Sequence, residues 1–384
     1  MRLLMISSEF PPGPGGIGNH AYHLALNLHR LGWDVIVQSP QDYAKDEEIA
    51  RLKSKLPFKL MRAHSGRGRA REALSRIRVG SRLVKEQRPD CLLGTGLSGV
   101  WVAAALSALR HLPMMAIAHG SEFGTVGGFS GWLNRRAFER ATMVVAVSQF
   151  TRGMVEKAGI RARQLTVIPN AANCEEGGLL SAQERTSFRR KAGFDDIPLL
   201  LTVGHVSERK GQEVVIRALP LILQRVPRVQ YLMIGLPTLE KRLRALAENL
   251  GVSEHVHFLG KVPDEEKRSW LNCCDVFLMT SRTLANGDCE GFGIAAIEAA
   301  MYGKPAVVSD SAGILEAIQD GVTGLAVPEG DSSATASAVV SLLGDRARCL
   351  AMGDAARVRA LREQTWETCA SKYDTLLRSL RSYQ

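Results

Sequence analysis

Aromatic residues are scarce in this chain, 6% of 384 residues, and no recognition motif or aromatic platform accompanies its basic run at 51–88. Nucleic acid is therefore not an expected partner. Seven cysteines occur, an odd number: Cys91, Cys174, Cys273, Cys274, Cys289, Cys349 and Cys369. No pair has metal-ligand spacing and two are adjacent, which excludes a disulfide framework and a thiolate metal site. Reduced thiols in a cytoplasmic protein are expected. The opening MRLLMISSEFPPG has too short an apolar run for a signal peptide. The 19 charge-free residues from Cys91 to Leu109 are long enough to span a bilayer, but Gly94, Thr95, Gly96, Ser98 and Gly99 interrupt them. A buried strand at Cys91–Gly94, a glycine turn and a buried helix at Val100–Leu109 explain the run better.

What is present is ordinary globular composition, 45% hydrophobic and 23% charged, which rules out a largely disordered chain. The length suggests two domains. The 36 glycines suit many tight strand-to-helix turns. Net charge is +10 and concentrated: residues 51–88 hold 13 Lys or Arg against two Glu, so the remainder is close to neutral. Within that segment Leu74, Ile77 and Val84 recur near helical spacing. Arg71, Arg78, Arg82 and Lys85 fall elsewhere around the turn, giving an amphipathic helix with a basic face. Two readings stand side by side, a solvated outer helix or a patch for an anionic membrane surface.

Short apolar runs alternate with amphipathic stretches throughout. Strands are expected at Arg2–Ile6, Val35–Gln38, Cys91–Gly94, Met114–Ala118, Met143–Val147 and Leu165–Ile168. The pattern restarts with strands at Leu199–Val203, Gln230–Ile234, His255–Leu259, Val276–Met279, Ala306–Val308 and Leu325–Val327. Helices fill the gaps, among them Ile17–Leu31, Gly131–Ala141, Gln212–Leu223, Leu239–Leu250 and Phe292–Met301. Such alternation predicts an α/β chain with two doubly wound parallel sheets. The boundary falls at Pro169–Gly178, giving domains at 1–172 and 178–365. Beyond Ala334 the chain reads as helical, and its last helix carries Trp366, Ala370, Tyr373, Leu376 and Leu377 on one face.

Three motifs carry chemistry. Gly13-Pro14-Gly15-Gly16-Ile17-Gly18 follows the first strand and opens a helix, the context of a dinucleotide fingerprint. The acid expected at the end of the second strand is absent, that strand running out as Gln38-Ser39-Pro40. A phosphate held by backbone N–H groups, or a tight turn with no ligand, fits as well. At the corresponding place in the second half, Gly204-His205-Val206-Ser207-Glu208-Arg209-Lys210-Gly211 sets two cations at a strand-to-helix junction, suited to a diphosphate leaving group. In Glu290-Gly291-Phe292-Gly293-Ile294-Ala295-Ala296-Ile297-Glu298, two glycines free the backbone at a helix start. The two carboxylates lie about 12 Å apart along a helix, too far to share a proton but able to grip opposite ends of an elongated ligand.

Together these residues resemble the retaining glycosyltransferases of family four. The likeness runs through FPPGPGGIG, Ala118-His119-Gly120, Val147-Ser148-Gln149-Phe150-Thr151, Val167-Ile168-Pro169-Asn170, Glu208-Arg209-Lys210-Gly211 and the Glu-x7-Glu helix. It implies the GT-B fold, two Rossmann-like domains facing across a cleft, with the C-terminal helix 366–384 returning to the acceptor-binding first domain. It further implies that Glu290 contacts donor-sugar hydroxyls, Glu298 the ribose, and Arg209 and Lys210 the diphosphate. His119 then lies near the transferred sugar, Gly15 and Gly16 close over the donor, and the Gly260-Lys261-Val262-Pro263 loop reads the base. Gly291, Phe292, Gly293 and Ile294 complete the donor set.

The expected reaction moves a hexose from a nucleotide sugar to a glycan or lipid-linked acceptor, keeping the anomeric configuration. The donor is GDP-mannose or a UDP-sugar, since Arg282-Thr283 and Gly287-Asp288 resemble bacterial lipid-linked mannosyltransferases. No Asp-x-Asp occurs, so no metal and no cofactor are expected. The location expected is cytoplasmic, peripheral on the inner face of the membrane. The competing readings are a dinucleotide-dependent oxidoreductase and a non-catalytic sugar-nucleotide-binding protein. Asn170-Ala171-Ala172-Asn173 departs from the family's Asn-Gly-hydrophobic-Asp, and Ala171 takes positive φ less cheaply than Gly.

Overall fold

Strand and helix alternate through the computed structural model, which describes residues 1–13, 15–41, 44–63, 69–124, 128–173 and 178–380. The chain divides into two units, Met1–Asn170 with Trp366–Gln384, and Ala171–Thr365. Of the linker motif, Cys174 to Gly177 lie outside the described residues. Ala171 is buried and is not among the residues with positive φ, so the missing glycine costs no strain.

The first unit runs β1 (Arg2–Ser7), α1 (Gly16–Arg30), β2 (Asp34–Ser39), α2 (Asp46–Lys53), β3 (Lys59–Arg62), α3 (Arg69–Gln87), β4 (Cys91–Thr95) and α4 (Leu97–Arg110). It continues with β5 (Met114–Ala118), α5 (Gly128–Arg140), β6 (Met143–Ala146), α6 (Gln149–Lys157) and β7 (Leu165–Val167). Among the described residues these strands form a parallel sheet in the order β3-β2-β1-β4-β5-β6-β7. Helices on both faces leave the inner strands no wet side, so Leu3–Ile6 and Met114–Ala118 are wholly buried. The charge-free run is accounted for as β4 and α4. Among the described residues no helix is long and apolar enough to cross a membrane.

Strand bounds otherwise agree within a residue or so of the pattern, but two expectations are corrected. β3 is a strand that no apolar run announces. Its sequence KLMR turns Lys59 and Met61 to solvent, as an edge strand tolerates. In α3 Val84 is buried and Ile77 packs against the core as the spacing predicts, but Leu74 is 54% exposed while Arg76 is 1% exposed. The Arg76 guanidinium donates to the Ser7 carbonyl at 2.9 Å and to Ser98 Oγ at 2.6 Å. These bonds let a charged side chain enter the core. Arg78, Arg82 and Lys85 do face solvent.

The second unit runs α7 (Ala182–Lys191), β8 (Leu199–Val203), α8 (Gln212–Leu223), β9 (Gln230–Ile234), α9 (Glu240–Asn249), β10 (Val256–Gly260), α10 (Asp264–Cys273) and β11 (Val276–Met279). Then come α11 (Ile294–Met301), β12 (Ala306–Ser309), β13 (Gly324–Val327), α12 (Ser332–Gly344) and α13 (Arg346–Glu363). The parallel sheet order is β10-β9-β8-β11-β12-β13. The last helix, α14 (Trp366–Ser379), packs on α1. Trp366, Ala370, Tyr373 and Leu377 are buried, and Trp33 Nε1 donates to Asp374 Oδ1 at 2.6 Å. The six described cysteines are buried and form no disulfide with one another.

In each sheet the order of the parallel strands reverses once, between β1 and β4 in the first unit and between β8 and β11 in the second. Loops leaving the carboxyl ends of such neighbouring strands diverge to opposite faces, and the crevice between them is where open α/β sheets bind ligands.

Candidate active site

In the second unit the reversal brings the predicted charges together. Ser207 to Gly211 leave β8 through a 3-10 turn, and residues 280–293 leave β11. Gly211, at φ 68°, crosses so close to β11 that a Cβ would overlap the Thr280 carbonyl oxygen. Thr280 Oγ1 donates back to the Gly211 carbonyl at 2.8 Å, and Arg282 N donates to the Arg209 carbonyl at 2.7 Å. The two loops are thereby tied, and the side chains they carry meet. Arg209 Nη1 and Lys210 Nζ both bond Glu290 Oε2, at 2.6 and 2.7 Å. Asp288 Oδ2 stands 3.4 Å from Arg209 Nε. Burial would raise the Glu290 pKa, but Lys210 and Arg209 outweigh it and hold the carboxyl below its usual value.

Glu298 has a different cation. It lies on α11, with Lys267 Nζ of α10 at 3.3 Å, and Lys267 also reaches Asp264 at 3.6 Å. Burial alone would lower the lysine pKa, yet the two carboxylates raise it. The Glu-x7-Glu motif therefore carries two separate ion pairs. Gly293 caps α11 at φ 88°, so the helix starts two residues later than the spacing predicts. Phe292 is 2% exposed, which makes its side chain part of the core and leaves only its backbone for a ligand. Gly291 and Ile294 are partly buried around it. Val262 sits partly buried in the loop from β10 to α10, after Gly260 at φ 66°.

In the first unit Gly15 caps α1 and Gly16 opens it, with open space where a Gly16 Cβ would lie. His119 follows β5. Its Nε2 lies 2.8 Å from Thr95 Oγ1, and its ring meets the edge of His20 at 5.0 Å between centroids. Burial lowers the His119 pKa to about 4, so the ring is neutral at ordinary pH. The Val147–Thr151 motif is a helix cap: Ser148 Oγ accepts the Thr151 N–H at 2.9 Å at the start of α6. Sequence reasoning missed Lys267 and Thr280. Neither belongs to a local motif, and each acquires its role by a contact across the fold.

Doubly wound parallel sheets with paired cations where the strand order reverses are the arrangement in which open α/β proteins hold phosphate-bearing ligands. Residues 14–176 match a family model described as Glycosyltransferase Family 4, and residues 184–359 one described as Glycosyl transferases group 1. The chain belongs to the family-four glycosyltransferases, which have the GT-B fold. It is 31% identical to a GDP-mannose-dependent alpha-(1-6)-phosphatidylinositol monomannoside mannosyltransferase of Mycolicibacterium smegmatis, over 98% of each chain. It is 28% identical to a glycogen synthase of Mycobacterium tuberculosis, over 97% of this chain and 93% of that one. Among solved structures, Anabaena HepE in complex with UDP and glucose superposes with a TM-score of 0.82 at 21% identity, covering 99% of this chain and 100% of that one. These matches give no support to an oxidoreductase.

Proposed function

We propose that this glycosyltransferase moves a hexose from a nucleotide-diphosphate sugar to a hydroxyl of a lipid-linked or glycan acceptor, with retention and without a metal. The observation that carries this reading is the convergence of Arg209 and Lys210 on Glu290 Oε2 at 2.6 and 2.7 Å. Two cations fixed to one point can hold a diphosphate equally well, and fixed donors cost no reorganisation when charge develops. The bond from the anomeric carbon to the phosphate oxygen breaks, and that oxygen keeps the electron pair. The acceptor oxygen bonds to the same carbon from the same face and passes its proton to the departing phosphate. Arg209, Lys210 and the α11 N-terminus compensate the charge that grows there. Glu290 then turns to the sugar hydroxyls, Glu298 to the ribose, and the Val262 loop to the base. His119 has Nε2 engaged by Thr95 and its main-chain N–H by Glu122, which leaves Nδ1 for a ligand.

GDP-mannose is the favoured donor and a UDP-sugar the second, because a GDP-mannose-dependent relative is 31% identical. Calorimetric titration with GDP, UDP and ADP chooses between them. Lys210→Ala and Glu298→Ala should each lower turnover by about a hundredfold or more while the protein stays folded. Wild-type turnover in both variants refutes the assignment.

The solvent face of α3 supports placement at the inner membrane surface. Exposed Arg78, Arg82 and Lys85 stand on the same helix as the exposed Leu74, a combination that suits anionic lipid.

A further inference from the structure

His119 is held at its tip but not in its plane. Nε2 of a histidine lies nearly in line with the Cβ–Cγ bond, so the contact with Thr95 Oγ1 at 2.8 Å is little disturbed when the ring turns about that bond. The main-chain N–H, engaged by Glu122, places no constraint on the ring. This torsion has broad wells in histidine, and Nδ1 lies well off its axis and swings with it. What the ring packs against must therefore set its plane.

That neighbour is His20, in the second turn of α1 and 1% exposed. Its ring stands at 85° to that of His119, with centroids 5.0 Å apart. It stands at 78° to Trp366 at 5.1 Å and at 77° to Tyr373 at 6.0 Å. All three pairs lie in the preferred edge-to-face range. Both backing rings come from α14, and His23, one turn further along α1, stacks on Trp366 at 19° and 5.3 Å. Docking of α14 as such needs only apolar area, which Ala370 and Leu377 on the same face already bury. Trp366 and Tyr373 do more, because they reach through His20 to His119.

The cluster holds by ring contacts. Neither His20 nitrogen has a hydrogen-bond partner among the described residues, nor does the Tyr373 hydroxyl. Burial, with His119 and His23 nearby, lowers the His20 pKa well below its usual value, and burial lowers that of His119. Both imidazoles are therefore neutral and pack without repulsion.

Resting on the transferase reading above, in which His119 meets the sugar, we infer that His20 is a positioning residue for sugar transfer. Backed by Trp366 and Tyr373 of the returning helix, it fixes the plane of the His119 ring and so the direction of Nδ1. The last helix of the chain then bears on transfer and not only on folding.

A double-mutant cycle tests this. Turnover is read with enzyme in excess as nucleotide release from GDP-mannose or UDP-glucose, with water or phosphatidylinositol micelles as acceptor; titration with GDP or UDP reads nucleotide affinity. His20→Ala should lower turnover about 10- to 100-fold, the scale of a misplaced group, with nucleotide affinity unchanged. His20→Phe keeps a ring against all three neighbours and should restore most of the loss. In a His119→Ala background, His20→Ala should cost no more than about a further twofold, since it acts through the missing ring. A merely structural role would keep its full factor in both backgrounds. Should His20→Ala fail to fold, Trp366→Leu carries the same cycle, with Trp366→Phe as its rescue. The inference is overturned if the alanine variant turns over like the wild type, if its loss is undiminished without His119, if phenylalanine restores nothing, or if nucleotide affinity falls in parallel. A wild type that releases nucleotide from neither donor refutes the transferase reading itself.

Discussion

Replacing Glu290 by Gln should separate two properties that usually move together, making the free nucleotide bind more tightly and sugar transfer slower. One carboxylate oxygen engages both Arg209 and Lys210, and the side chains of Glu290 and Lys210 are only 14% and 13% exposed. An incoming diphosphate must draw both cations away from that oxygen and approach its charge. The amide keeps the shape and removes the charge, leaving two neighbouring cations without an anion. A hydrogen bond to a charged group is worth about 1.5–3 kcal/mol net, so releasing one such competitor should tighten GDP or UDP about 10- to 100-fold. The gain should shrink with added salt by less than a surface pair would, because the cluster is largely buried. Turnover should fall, because the amide cannot replace the carboxylate at the sugar hydroxyls. Isothermal titration of both proteins with the same nucleotide, beside an initial-rate assay, reads the two effects. Unchanged or weaker nucleotide binding in the variant would show that Glu290 does not compete for the diphosphate cations.

Other expectations concern stability and the surface. Glu122 titrates near 7 in the folded protein against an ordinary 4.5, so the native state holds the extra proton between these values and stability falls as pH rises through that window. The span is about 3 kcal/mol. Glu122→Gln should abolish this fall, so urea unfolding at pH 5 and pH 8 should show the variant gaining on the wild type at the higher pH. His119, lowered to about 4, acts in the opposite sense and cancels in the difference, and parallel profiles would refute the assignment. Gly211→Ala meets the Thr280 carbonyl oxygen and should cost about 2–4 kcal/mol of stability while lowering turnover, because Arg209 and Lys210 precede it. Reversing Arg78, Arg82 and Lys85 to Glu should abolish sedimentation with vesicles rich in anionic lipid and leave binding to zwitterionic vesicles unchanged. Equal sedimentation of the variant would refute the membrane-facing role of α3.

The repeated apolar runs by themselves determined the class of fold, because a strand covered on both faces must be apolar along its whole length and Leu3–Ile6 or Met114–Ala118 can be little else. Paired cations and glycines at the strand-to-helix junctions were legible for a similar reason, since a turn's backbone demands leave marks in adjacent residues. The short strand Lys59–Arg62 left no mark, as an edge position asks for no apolar side chain. Leu74 lies outside and Arg76 inside because the Ser7 carbonyl and Ser98 hydroxyl, remote in sequence, satisfy the guanidinium in the core. Only the tertiary structure decided which carboxylate each cation holds, Glu290 with Arg209 and Lys210 but Glu298 with Lys267. It also decided that Glu9 lies beneath Gly15 while Glu122 is buried against the His119 N–H. Such pairings depend on which loops a strand reversal brings side by side, and no local spacing encodes that.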